Sequence, residues 1–169
     1  KGQEMFIESL NILREDYNRS NFQAIILGSN QGRKVYSKKL LSLVERYRMG
    51  REIKFVDHCK EMPTGYALAD LVVSSSIEPE AFGRISVEAQ AMKKLIVASN
   101  IGGSRETIND KKSGLLYKAG DPRELAKTMN EVMELDKEIL HSMGNEGRKN
   151  VTKKFDVEKM CHTTFSEYK

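Results

Sequence analysis

The sequence is poor in the residues that build disulfide-rich, metal-bound and membrane-spanning proteins. Its 169 residues include two cysteines, three histidines and no tryptophan. Cys59 and Cys161 are far apart and form no C-x-x-C spacing, which argues against a disulfide framework or a zinc site. No apolar run approaches the roughly 18–20 residues that a membrane span requires. These absences exclude secreted disulfide-rich proteins, zinc modules and membrane-spanning proteins.

The composition is that of an ordinary globular domain. Hydrophobic residues make up 39% of the chain and charged residues 31%, a balance typical of soluble folded proteins. No linker, repeat or low-complexity tract divides the chain, so we expect a single domain over residues 1–169. The first ten residues contain neither an initiator methionine nor the apolar stretch of a secretory signal. We therefore expect a segment of a longer chain.

Positive charge is concentrated in one part of the sequence. The segment 31–54 carries eight basic and two acidic residues, whereas the whole chain has a net charge of +4. Such a segment is either a solvated helix face or a surface that attracts phosphates, nucleic acid or an anionic membrane. Aromatic residues are not interleaved with the charges, so we expect no nucleic-acid partner.

Strand and helix patterns alternate along the chain. Short apolar runs bounded by turn residues predict strands at 22–27, 53–56, 71–73, 95–98 and 114–117. Apolar residues at helical spacing predict helices at 1–17, 34–48, 62–69, 84–92, 122–134, 136–150 and 156–168, with a single turn at 104–108. In the 84–92 helix, this spacing places Ile85, Ala89 and Met92 on the inner face. The 22–27 run, being almost entirely apolar, predicts a strand buried on both faces.

This order of elements predicts an α/β fold, a Rossmann-like doubly wound parallel sheet flanked by helices. Strands joined by helices pair in parallel through right-handed crossovers. Ligands of such sheets bind beyond the carboxyl ends of the strands. The candidate site therefore lies in the loops 28–33, 57–61, 74–83 and 99–103.

The loop 74–83 carries a pair of acidic residues that suits a nucleotide sugar. Glu80 lies in the loop, and Glu88 lies just over one turn into the helix that follows. Between them is a helix N-terminus, whose unpaired N–H groups favour an anion such as phosphate, and Gly83 allows close approach of the backbone. A carboxylate matches two adjacent sugar hydroxyls with its two acceptor oxygens. From spacing alone the pattern is more typical of an ordinary exposed helix residue at Glu88 and a turn residue at Glu80.

Several consecutive motifs extend this pattern. The segment SSSIEPEAFGRISVEA (74–89) resembles the E-x7-E signature of retaining, nucleotide-sugar-dependent glycosyltransferases of the family 4 type. The resemblance continues through VASNIGGSRE (97–106) and GLL (114–116), and reaches back to the opening Lys1-Gly2. It covers nearly the whole chain as the donor-binding half of a two-domain GT-B enzyme, with the N-terminal acceptor domain outside this chain.

The resemblance implies a role for each matching residue. Glu80 would contact hydroxyls of the transferred sugar, and Lys1 would neutralise the departing diphosphate, so both are candidate catalytic residues. Glu88 would hold the ribose diol. The remaining candidate substrate-binding residues face the sugar, the diphosphate or the nucleotide side of the site: Phe82, Gly83, Arg84, Gly28, Ser29 and His58.

The same resemblance implies the chemistry and the partners. A sugar would pass from a nucleotide diphosphate sugar to a glycan or lipid acceptor with retention, the departing phosphate oxygen helping to deprotonate the acceptor. Positioning and electrostatic stabilisation would supply most of the catalysis. We expect no cofactor and no metal, because Glu78 and Glu80 do not provide three convergent oxygens. The expected location is cytoplasmic, with peripheral contact at the inner face of the membrane left open.

Two departures from the family pattern leave questions for the structure. Lys93-Lys94-Leu95 replaces the Gly-x-Pro turn of the family, and the strand expected immediately before Lys1 is absent. The strands at 22–27 and 71–73 would share that strand as a neighbour.

Gly102-Gly103 with Glu106 is either a close-approach loop near the sugar or a turn and helix cap. Two other functions remain open: a nonenzymatic α/β module binding nucleic acid or an anionic membrane through its basic face at 31–54, and a GT-B-type epimerase or phosphorylase.

Overall fold

The structure is a computed structural model that describes residues 2–29, 32–57 and 59–168. Parallel strands alternate with helices through most of the chain, as the sequence predicts. The elements are α1 (Gln3–Asp16), β1 (Ala24–Leu27), α2 (Lys34–Arg46), β2 (Ile53–Val56), α3 (Met62–Leu68), β3 (Leu71–Ser74), α4 (Arg84–Ala91), β4 (Leu95–Ser99), α5 (Ser104–Thr107), β5 (Leu115–Tyr117), α6 (Pro122–Met133), α7 (Lys137–Lys154) and α8 (Val157–Glu167).

The strands form two parallel sheets. In one, β1 pairs with β2, with Ala24 opposite Ile53. In the other, β4 lies between β3 and β5, with Val97 opposite both Val73 and Leu115. Within the described residues β1 and β3 therefore remain in separate sheets, and the gap that the sequence predicts between them does not close.

Position in the sheet determines how much of each strand is buried. The central strand β4 is buried at all five residues, whereas β1 buries only Ala24 and leaves Ile25 55% exposed. The prediction that the 22–27 run is buried on both faces was wrong. Its strand has a hydrogen-bonded neighbour on one side only among the described residues, so part of its apolar surface faces solvent.

Helices cover both faces of the sheets. On one side α1 packs against α6, and their inner residues, including Leu10 and Leu125, join the larger core cluster. A smaller cluster contains Tyr66 from α3, Ala89 from α4 and Ile96 from β4. Among the described residues, no helix has both the length and the hydropathy of a membrane-spanning segment.

The buried face of α4 differs from the predicted face. Ala89 is buried as expected, but Ile85 is 37% exposed, while Ser86 and Gln90 are completely buried. The residues that α4 buries are therefore offset by about one position from its apolar residues. The reason is a polar contact, because the Gln90 side chain pairs with a residue of α7, as described below.

Candidate active site

Two loops meet in backbone contact at the carboxyl edge of the β3–β4–β5 sheet. A Cβ added to Gly102 would lie 2.5 Å from the Glu80 carbonyl oxygen, and one added to Gly103 would lie 2.5 Å from that of Phe82. The Gly103 N–H donates a 2.8 Å hydrogen bond to the Glu80 carbonyl oxygen. Gly103 also precedes the first residue of α5, Ser104. The glycine pair therefore both caps a helix and fixes the backbone of the loop that carries Glu80.

The carboxylate of Glu80 is oriented by its own loop. The hydroxyl of Ser76, a residue that is 9% exposed, donates a 2.7 Å hydrogen bond to Glu80 Oε1. The Glu80 side chain is half-buried and lines an open cleft of about 520 Å3 together with Gly102, Gly103 and Arg105. The second carboxylate oxygen of Glu80 has no partner among the residues that the structure describes, so it is available to a ligand hydroxyl.

The N-terminus of α4 presents unpaired backbone donors. Gly83 precedes the helix with φ of 74° and provides no side-chain cap. Within the described part of the chain, no acceptor is hydrogen-bonded to the N–H groups of Gly83, Arg84 and Ile85. Since the positive end of the helix dipole lies here as well, this end of α4 is suited to an anionic group.

Phe82, immediately before this helix, contacts the C-terminal part of the chain. Its ring lies 5.3 Å from that of Phe155 in an edge-to-face arrangement with an interplanar angle of 83°. Phe155 is the residue that follows α7. The contact joins the candidate site to the junction of α7 and α8.

Glu88 is held from two directions. The Tyr66 hydroxyl donates a 2.8 Å hydrogen bond to Glu88 Oε2, and the Arg84 guanidinium donates bonds of 2.9 and 3.2 Å to Oε1. Tyr66 is 6% exposed, whereas the Arg84 side chain is 83% exposed. Burial, followed by the hydrogen bond to Glu88 and its negative charge, raises the pKa of Tyr66 above its usual value. The hydroxyl therefore stays protonated and acts as the donor.

A buried polar network fixes α4 against α5 and α7. The Gln90 Nε2 group donates to the carbonyl oxygens of Ser86 and Thr107, at 3.0 and 2.9 Å. Asn150 of α7 donates from Nδ2 to Gln90 Oε1 at 3.2 Å and to the Thr107 carbonyl oxygen at 2.9 Å. Buried amide groups are costly unless paired, so these bonds define one arrangement of the three helices.

A second, larger cleft of about 970 Å3 lies at the ends of β1 and β2. Gly28 and Ser29 line it together with Asp57, the start of α1 and one side of α2. Ile77 contributes to the same lining from the loop after β3. Gly28 has φ of 137°, a conformation that favours glycine.

The predicted site residues are thus distributed over three places. Glu80 lines the smaller cleft, Gly28 and Ser29 line the larger one, and Glu88 lies within α4 beside Arg84. The predictions for Lys1 and His58 fall outside the described residues. Among the residues described, no group of three His, Cys, Asp or Glu side chains is arranged to hold a metal ion.

Sequence spacing did not single out Tyr66, Ser76 or Asn150. Tyr66 and Glu88 are 22 residues apart, and Asn150 and Gln90 are 60 apart, so neither pair leaves a local pattern. Ser76 lies four residues before Glu80 in the same loop. A short serine-to-carboxylate spacing was the one signal available for these partners.

The basic face predicted at 31–54 is solvent-exposed. All eight cationic side chains are exposed, and Lys39 forms an ion pair of 2.6 Å with Glu4 of α1. The other seven basic residues are Arg33, Lys34, Lys38, Arg46, Arg48, Arg51 and Lys54. Of these, Arg33 lines the larger cleft.

Solved structures of glycosyltransferases have the same fold. A glycosyltransferase from Rickettsia africae superimposes with a TM-score of 0.92 at 28% identity, over 99% of this chain and 44% of that one. Anabaena Alr3699/HepE, solved in complex with UDP-glucose, gives a TM-score of 0.89 at 29% identity, over 98% of this chain and 45% of that one. The Rossmann-like α/β fold expected from the sequence is confirmed.

Sequence comparisons agree with the structural ones. A D-inositol 3-phosphate glycosyltransferase from Corynebacterium urealyticum is 30% identical over 139 residues, which are 80% of this chain and 32% of that protein. The chain thus spans about a third of the length of this curated relative. The model of the family described as "Glycosyl transferases group 1" matches residues 1–150. Because that match covers most of the sequence, the chain belongs to the glycosyl transferases group 1 family.

Proposed function

We propose that this chain is the donor-binding domain of a retaining glycosyltransferase. The full protein would transfer a sugar from a nucleotide diphosphate sugar to a glycan or lipid acceptor bound by a further, N-terminal domain. Family membership favours this function over a nonenzymatic module or an epimerase. The proposal is also supported by the structural relative that binds UDP-glucose.

One observation carries the proposal: the free N-terminus of α4 lies between two carboxylates that are already oriented. Glu80 precedes the helix and keeps one oxygen unpaired among the described residues, and Glu88 is held within the first turns. The N–H groups of Gly83, Arg84 and Ile85 provide donors for a diphosphate. Charge-assisted hydrogen bonds of this kind are about twice as strong as neutral ones.

Each end of the donor then has a proposed partner. Glu80 binds hydroxyls of the sugar and Glu88 binds the ribose diol. The larger cleft, with Gly28 and Ser29, accepts the nucleoside. His58, which follows β2 in the sequence, is also assigned to the nucleotide side of the site. Lys1 neutralises the departing diphosphate, so the proposed reaction uses no metal or cofactor.

The reaction follows from positioning. Held at both ends, the donor presents one face of its sugar to the acceptor, and the departing phosphate oxygen takes the acceptor proton. The backbone donors at α4 stabilise the negative charge that develops on the diphosphate. These amides have no partner among the described residues, so they would provide this stabilisation without rearrangement.

Nucleotide binding by the 169-residue chain tests the proposal. Thermal unfolding is measured with UDP, GDP, ADP and the corresponding glucose esters, because a ligand of the folded state raises the midpoint. For the stabilising nucleotide, Glu88→Ala is expected to weaken binding by about 1–3 kcal/mol in calorimetry. Glu80→Ala is expected to weaken binding of the sugar ester but not of the free nucleotide.

Glu131→Ala is the matched control, since Glu131 is an exposed helical residue of α6 outside both clefts. Its affinity is expected to equal that of the unmodified chain. The proposal is overturned if no nucleotide shifts the midpoint. It is also overturned if a folded Glu88→Ala variant binds as tightly as the control.

A further inference from the structure

The shortest hydrogen bond to the Glu88 carboxylate among the described residues comes from a residue outside the E-x7-E segment. Tyr66 of α3 donates a 2.8 Å hydrogen bond to Glu88 Oε2 across 22 residues of sequence. Its ring is buried in the smaller core cluster, next to Ala89 and Ile96. A hydroxyl on a packed ring of this kind is fixed in position.

Arg84 cannot fix Glu88 in the same way. Its guanidinium pairs with Oε1 from the same helix, but its side chain is 83% exposed, and exposed ion pairs hold their geometry weakly. The rigid anchor of Glu88 is therefore Tyr66. With each oxygen accepting from one side, the remaining lone pairs of the carboxylate are left for a ligand.

We propose that Tyr66 is a positioning residue that holds the Glu88 carboxylate where both hydroxyls of a ribose diol can bind it. The site then prefers ribonucleotides to deoxyribonucleotides. This inference rests on the proposed function, in which Glu88 binds the ribose. A carboxylate fixed before binding loses less conformational freedom when two hydroxyls dock on it. A free side chain would still accept a hydrogen bond but would discriminate less between one hydroxyl and two.

The test compares each nucleotide with its 2′-deoxy counterpart. Tyr66→Phe removes the hydroxyl and keeps the ring that packs in the core. With UDP, GDP or ADP, whichever binds, the variant is expected to lose roughly five- to tenfold in affinity. Binding of the 2′-deoxy form is expected to change by less than about twofold, because that form makes only part of the contact. The preference for ribose thus falls.

Two further variants separate a positioning role from a structural one. Tyr117→Phe removes a hydroxyl that is also buried but belongs to the other core cluster, and it is expected to leave the ribose preference unchanged. The double variant Tyr66→Phe/Glu88→Ala is expected to have the same preference as Glu88→Ala alone, since Tyr66 acts through Glu88. An additive loss of preference would overturn the inference.

The outcomes distinguish this inference from the proposed function. If Glu88→Ala abolishes the ribose preference and a folded Tyr66→Phe variant keeps it, the positioning role is wrong and the function stands. If Glu88→Ala keeps both affinity and preference, the function itself fails. Thermal unfolding of every variant establishes that the compared proteins are folded.

Discussion

Replacing Gly103 by alanine should lower the stability of the domain and, on the proposed function, weaken its binding of a donor sugar. A Cβ at this position would lie 2.5 Å from the Phe82 carbonyl oxygen and 2.7 Å from its Cα atom. Because carbon atoms pack at about 3.5–4.0 Å, the two loops must separate by about 1 Å. Overpacking costs about 1–3 kcal/mol, and weakening the hydrogen bond to Glu80 adds about 1 kcal/mol. We expect the free energy of unfolding to fall by roughly 2–4 kcal/mol.

Urea denaturation measures this loss. Calorimetry with the nucleotide that stabilises the chain, and with its glucose ester, measures the effect on the site. On the proposed function, a displaced Glu80 should weaken binding of the glucose ester more than binding of the free nucleotide. Gly50→Ala is the control, since a Cβ there meets nothing within 4 Å and the φ of Gly50 is not positive. That change should be neutral or stabilising by up to about 1 kcal/mol. Equal urea midpoints for the two variants, or an unaltered ratio of glucose-ester to free-nucleotide affinity in Gly103→Ala, would refute the reasoning.

Two other predictions concern the scaffold. Asp121 accepts hydrogen bonds from the N–H groups of Arg123 and Glu124 at the start of α6, whereas Asp136 makes no such bond before α7. Asp121→Ala should therefore lower the free energy of unfolding by about 1 kcal/mol and Asp136→Ala by less, and equal losses in urea would contradict this. Burial raises the pKa of Tyr117 above its ordinary value of 10.0, so the unfolded chain loses this proton at a lower pH than the folded chain does. The free energy of unfolding therefore falls as pH rises above that value. Tyr117→Phe should show a shallower fall in urea titrations from about pH 9.5 to 11, and an unchanged slope would exclude this cause.

The order and type of the elements could be predicted from the sequence because both depend on short-range patterns. Every predicted strand and helix is present in the described residues within a few positions of its expected ends. The Asp121-Pro122 pair, for example, marks the start of α6 through a cap and a residue suited to the first turn. The largest shift of an element's end is in α7, which was predicted to end at residue 150 and continues to Lys154.

Burial was predicted less well, since it depends on which elements become neighbours. The apolar runs of β1 and β4 look alike in sequence, yet β4 is central and β1 has a single hydrogen-bonded neighbour among the described strands. In α4, the pairing of Gln90 with Asn150 brings a polar side chain inward and leaves Ile85 partly exposed. A pattern of apolar spacing contains no information about a partner 60 residues away.

The same limit applies to the candidate site, and it determines which substitutions outside the acidic pair should impair binding. Spacing was enough to place Glu80 before α4 and Glu88 within it, but not to identify what orients them. Glu88 depends on Tyr66 of α3, and the Glu80 loop depends on Gly103. A chain that keeps both carboxylates but loses Tyr66 or Gly103 should therefore bind a donor poorly, so the acidic pair alone is not sufficient to infer an active member of the family.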